Sequence, residues 1–249
     1  MPARPAVQVD VAPHAVEFLA MMGLKEWLPP ANWPNGQTRQ FIYLAAGLAE
    51  RRLGARGRIT IGTRAEAGGG VIEGTWNDDS DRVVLTTVTH YPAEGPVSQS
   101  LEFGDGDRIY ADTDMRQKQL VIARTSRGQK SGARIDIDTA QPLDWSVTWA
   151  FRLVHIPWSA GLSGPFFLGD VDWSPSGPSN DGYRQASLQT GESTELVDTP
   201  NGQRNVECWR IESAGQGISE VASIAKTGEG LIRFDMNMMN SALLIGIAG

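Results

Sequence analysis

The side chains best suited to proton-transfer chemistry in this sequence are His90, Lys118, Arg124 and Asp112. An imidazole titrates near neutral pH and serves as either acid or base. His90 ends a Val- and Thr-rich stretch and, at two-residue spacing, shares a face with Val84, Thr86 and Val88. Lys118, Leu120, Ile122 and Arg124 also share one face. If that face points inward, two cations border an apolar surface, where they could hold a carboxylate or phenolate. Asp112, in step with Tyr110 and Asp114, is the carboxylate expected to orient the His90 ring. The plainer reading is that both cations sit at strand ends with their heads in water, and that His90 is a satisfied core or rim residue. Aromatic rings expected to line an apolar ligand are Tyr43, Trp76, Tyr110, Trp149 and Trp173. The competing reading of the eight tryptophans is that they plug the ends of an open barrel.

Other chemistries find little support. The three histidines, His14, His90 and His155, lack metal-ligand spacing, and His155 beside Pro157 reads as a cap. Cys208 is the single cysteine, which excludes an intrachain disulfide and a multi-thiolate zinc site; it reads as an inert buried thiol. FGDGDRIYADTD, with Asp105, Asp107, Asp112 and Asp114, lacks the order of a calcium loop and reads as a turn before a wet strand face. GTRAEAGGG lacks the Lys-Ser/Thr ending of a phosphate loop, and Pro165 after GLSGP forbids the helix that a nucleophile elbow needs. Neither a metal nor an organic cofactor is expected. The 22 basic and 29 acidic residues give a net charge of -7, which disfavours nucleic acid and anionic lipid surfaces as partners. No apolar run reaches the ~18 residues of a membrane span; SALLIGIAG at the C-terminus is far shorter. The opening residues do not read as a secretory signal, so a cytoplasmic location is expected.

Residues 1–55 are expected to form an N-terminal helical cap. One helix runs from Pro13 to near Gly23, and a second begins at Thr38 with Phe41, Ile42, Leu44, Ala45, Leu48 and Leu53 on its apolar side, ending at Gly54. Residues 56–249 form one β unit, because beyond residue 55 the period changes to two. Strands are expected over 82–91, 97–103, 107–113, 118–125, 132–137, 183–190, 193–199, 204–213, 217–225 and 230–237, with earlier ones around Ile59–Ile61 and Val71–Trp76. Residues 144–155 read as a helix capped by Asp144, although alternation of Val147, Trp149, Phe151 and Leu153 also permits a strand. Residues 159–182 read as a long Gly/Pro/Ser loop. The fold class is mainly β (α+β): a curved antiparallel sheet, an open or half β-barrel around a linking helix. A closed lipocalin-like barrel and a nuclear-transport-factor-like cone are the competitors.

The order PLDWSVTWAFR, loop, strand, ELVDTPNGQRNVECWRIES and GEGLIRFDM resembles a bacterial family of uncharacterised half-barrels akin to the lipoprotein-carrier fold. The matched positions are Thr199, Pro200, Gly202, Cys208 and Trp209, within a likeness spanning about residues 57–237. The resemblance implies an open barrel whose helix joins two runs of strands, and it carries no catalytic residues. Two functions are therefore expected. One is a cofactor-independent lyase or isomerase acting on a hydrophobic, aromatic small molecule; the other is a non-catalytic binding or carrier protein for such a ligand. The long loop and the N-terminal helices could close the concave face or form the contact of a homodimer; the sequence leaves the oligomeric state open.

Overall fold

The computed structural model describes residues 36–66, 69–92, 97–114, 116–137, 144–145, 151, 163–173, 181–199, 202–215, 218–227, 230–238 and 241–247. The helix expected near residues 13–23 lies outside them. Among the described residues, fifteen strands and one complete short helix, α1 (Leu48–Leu53), make up the regular structure. The first arm runs β1 (Gln37–Gly47), β2 (Arg56–Glu66), β3 (Gly69–Asp78), β4 (Val83–Pro92), β5 (Ser98–Phe103), β6 (Arg108–Asp114), β7 (Gln119–Ser126) and β8 (Gln129–Asp136). The second runs β9 (Asp144–Trp145), β10 (Ser163–Asp170), β11 (Gly182–Thr199), β12 (Gly202–Gly215), β13 (Ile218–Ala225), β14 (Gly230–Met238) and β15 (Ser241–Ile247).

All fifteen belong to one sheet, in which each strand lies beside its neighbours in sequence except β8 and β9, which are the two edges, and β1 pairs with β15 at the middle. Pairing is antiparallel throughout except between β9 and β10. The strand boundaries follow the punctuation of the sequence. In β4, Leu85, Thr87, Thr89 and Tyr91 point inward while Thr86, Val88 and His90 point outward. In β7, Leu120 and Ile122 point inward, as expected.

The sheet is strongly curved. β7 and β10 are twelve places apart in the strand order, roughly 58 Å in a flat sheet at about 4.8 Å per strand. Yet Arg124 on β7 donates from Nη1 to the Asp172 carbonyl at 2.6 Å and from Nη2 to the Asp181 carboxylate, on the two sides of the β10–β11 connection. The same carboxylate accepts from the Asp172 amide at 2.8 Å. Nearby, Phe103 of the first arm meets Trp173 of the second edge-on, with centroids 6.0 Å apart. Among the described residues no ladder joins β8 to β9, so the sheet is rolled but not closed. One apolar core fills the concave side, from Phe41, Ile59, Trp76 and Phe103 across to Leu168, Phe234 and Ile245. Phe151 packs there, its ring 5.5 Å from that of Phe41.

Three expectations are corrected. The helix expected from Thr38 to Gly54 is strand β1 followed by the six residues of α1. Phe41 and Tyr43 face the core while Ile42 and Leu44 face outward, so apolar groups on both sides satisfied a helical spacing as well as a strand one. The loop expected over 159–182 contains β10, an inner strand that holds Gly164 and Pro165. The two strands expected at 183–190 and 193–199 are one long strand, β11, continuous through Gly191. Of the helix expected over 144–155, residues 144–145 are instead strand β9, whereas Phe151 is helical as expected; the rest of that segment lies outside the described residues.

Arg124 and Asp181 are both nearly buried, with side-chain exposures of 7% and 3%. Removing one partner of a buried ion pair strands the other charge. Arg124→Ala is expected to lower the urea-derived unfolding free energy by about 3–5 kcal/mol; a loss below about 1 kcal/mol, the range of a surface pair, would show that this contact does not hold the two arms together.

Candidate functional site

The rolled sheet sorts the polar residues by face. His90 is exposed on the convex side, its Nδ1 3.5 Å from Glu66. Asp112 and Tyr110 are also outward, and the Tyr110 hydroxyl lies 3.3 Å from the Asp112 carboxylate. Burial and then the Asp112 charge raise the Tyr110 phenol, against a lowering by Ser98. Lys118 occupies the β6–β7 turn with φ 51° and is exposed. Arg124 alone of the four points into the core, where Asp181 and a carbonyl already engage it. The structure therefore does not bring His90, Lys118, Arg124 and Asp112 onto one surface.

The aromatic set divides in the same way. Trp76 and Tyr43 are core residues with centroids 5.5 Å apart. Gly57 makes room for Tyr43, since a Cβ there would lie 2.7 Å from the ring. The ring thus reaches the Leu53 carbonyl, to which its hydroxyl donates at 2.5 Å. Trp173 is half-buried against Phe103, Tyr110 is exposed, and Trp149 lies outside the described residues. The acidic FGDGDRIYADTD segment is a hairpin turn gripped by Arg52, which reaches Asp105 at 2.7 Å and Asp107 at 3.3 Å. Among the described residues, no three His, Cys, Asp or Glu side chains are grouped to hold a metal ion.

The concave face holds a second buried cation. Arg184 on β11 is fully buried, with Nε 3.0 Å from Asp170 on β10 and Nη2 2.8 Å from the fully buried Glu220 on β13. Ser213 on β12 donates to the same Glu220 oxygen at 3.3 Å. One network thus ties four successive strands, and Nη1 of Arg184 has no hydrogen-bond partner among the described residues. Its partners lie 14 and 36 residues away in sequence, so alternation within β11 gave no sign of it.

An apolar groove lies on the convex side. β11 and β1 are five places apart in the strand order, roughly 24 Å in a flat sheet. The far end of the β11–β12 hairpin nevertheless arches over the outer face. Val197, Val206, Cys208, Ala225 and Ile232 form a small second core beneath it. Glu195 accepts from the Ser223 hydroxyl at 2.7 Å, and Lys226 reaches Glu192 at 2.9 Å. Between this arch and the centre of the sheet runs a groove of about 320 Å³ lined by Ile42, Leu44, Leu196, Val197, Ile232 and Leu244, with Glu195, Asp198 and Arg233 among its polar residues. Arg233 pairs with Asp235 at 2.9 Å. Ile42, Leu44 and Leu196 are 50%, 51% and 61% exposed. The groove residues of β1 were hidden by the helical reading. The sign that could have found them is a run apolar at consecutive positions, FIYL and ALLI, which a one-sided strand does not need.

No family model matches this sequence, and no curated protein is significantly similar to it. Among the described residues, no helix is long and apolar enough to cross a membrane.

Burial, then the charges of Asp78 and Asp79, push the Tyr43 phenol from 10.0 up to about 12. The folded state keeps this proton after the unfolded chain has released it, so the stability it contributes is complete below pH 10 and is lost as pH rises toward 12. Chemical denaturation across that interval should show a steeper decline for the wild type than for Tyr43→Phe; equal slopes would contradict the burial assigned to this hydroxyl.

Proposed function

We propose that this chain is a non-catalytic binding protein for a hydrophobic small molecule, held in the convex groove. The observation that carries the reading is the convergence of three exposed large apolar side chains, Ile42, Leu44 and Leu196, on one concavity. Isolated apolar residues are ordinary on a surface, whereas contiguous ones lining a depression mark binding sites. A volume of about 320 Å³ sits at the small end of ligand pockets, which run from about 300 to 1,000 Å³. The apolar lining supplies affinity, and Glu195, Asp198 and Arg233 supply polar contacts for a head group. The proton-transfer reading instead requires His90 as acid or base and Arg124 as anion stabiliser to face a common substrate, and the two face opposite sides of the sheet.

Titration with a neutral fluorescent naphthylamine dye tests the proposal. The wild type should bind it, and Leu44→Asp and Leu196→Asp should each weaken binding by about tenfold or more, since the contact of a buried leucine is worth about 1.5–3 kcal/mol. Val83→Asp, at a similarly exposed position outside the groove lining, should not. Absence of binding, or equal affinity in all four proteins, would overturn the proposal.

A further inference from the structure

Among the described residues, strand β8 is one edge of the sheet, and its exposed residues include Lys130, Ser131, Gly132, Arg134 and Asp136. An exposed edge is a template for another strand, and charged residues on it decide which strand is accepted. The phase of its hydrogen bonding is fixed by the Ile137 amide, which donates to the Lys118 carbonyl at 2.7 Å. Residues two apart repeat that orientation, so Ile135, Ala133 and Ser131 turn their backbone groups toward β7. Lys130, Gly132, Arg134 and Asp136 therefore turn theirs away from β7. The same four side chains share the convex face, because they oppose Thr125, Ala123, Val121 and Gln119.

We propose that β8 pairs antiparallel with β8 of a second copy of this chain, about a two-fold axis at Ala133. A two-fold axis places some residue opposite itself, which leaves three central registers, and charge separates them. Centring on Gly132 sets Lys130 against Arg134 of the other copy, and centring on Arg134 sets two guanidinium groups face to face. Centring on Ala133 sets Lys130 against Asp136, twice by symmetry, and places each Arg134 over a Gly132 that has no side chain to obstruct it. In this register the outward backbone groups of Lys130, Gly132, Arg134 and Asp136 are also the ones that meet. Lys130 has no ion pair among the described residues, and Asp136 accepts only from Gln119, at 2.9 Å, among the hydrogen bonds seen there. Both charges are thus available across the axis. The convex groove is lined by β1, β11, β14 and β15 and takes no part, so the pairing stands independently of the proposed ligand.

Sedimentation velocity on the full chain over a concentration series tests this. The wild type should show a monomer–dimer equilibrium. Lys130→Asp and Asp136→Lys should each weaken it by about tenfold or more, because each turns two attractive cross-strand pairs into two repulsive ones. An equimolar mixture of the two variants should recover the dimer, since one copy then carries aspartate at both positions and the other lysine at both. A defect in folding would not be repaired by mixing. A wild type that stays monomeric, single variants that dimerise as the wild type does, or a mixture that fails to associate would each overturn the proposal.

Discussion

Fifteen strands in one twisted, almost wholly antiparallel sheet do not lie flat. Adjacent strands rotate by roughly 20–25°, and sheets of more than about ten strands curl or split unless something flattens them. Here the curl is complete enough that β7 and the β10–β11 connection, at opposite ends of the strand order, meet through one guanidinium. The concave side then becomes a single core, and Phe103, Trp173 and Phe151 have partners because the arms face each other. Two buried arginines hold polar strands inside this core. Arg124 links the arms, while Arg184 with Asp170, Glu220 and Ser213 binds β10 to β13. Such networks add little net stability over an apolar core of the same volume, but breaking one member is costly.

Rolling leaves the convex side to be dealt with separately. Over most of it, outward residues are polar or small, as in Thr86, His90 and Ser100. At the centre, β1 and β15 are apolar on both faces. Part of that second apolar face is covered by the arching end of the β11–β12 hairpin, which builds a small core around Cys208. The part left uncovered is the groove. Its apolar lining is therefore a consequence of where the two chain ends of the sheet meet, and a ligand would complete burial that the hairpin begins.

Much of the first arm was legible in the sequence. β4 through β7 lie within about a residue of their expected limits because Val, Thr and Ile alternate there between Gly, Asp and Pro punctuation. The shared face of Leu120, Ile122 and Arg124 was legible for the same reason, but the plainer reading that put the Arg124 head in water was not borne out, since it is buried. β1 and β15 were not legible, since FIYLAAG and SALLIGI carry apolar residues on both faces and offer no polar–apolar alternation to read. β10 was obscured by Gly164 and Pro165, which tertiary pairing with β11 overrides. The site suffered most. Spacing within a strand assigns a face but not a partner. His90 and Arg124 were grouped by type although the sheet separates them, and the acids that engage Arg124 and Arg184 come from distant strands and connections.

The claim that carries the rest is that residues 37–47 are a central strand paired on both sides, with β2 and with β15. Amide hydrogen exchange reads this directly. The amides of Phe41 to Ala46 and of Leu243 to Ile245 should exchange as slowly as those in the middle of β3 and β4. Exchange through Phe41 to Ala46 as fast as in a solvent-exposed helix, with the β15 amides unprotected, would contradict the architecture and the groove that depends on it.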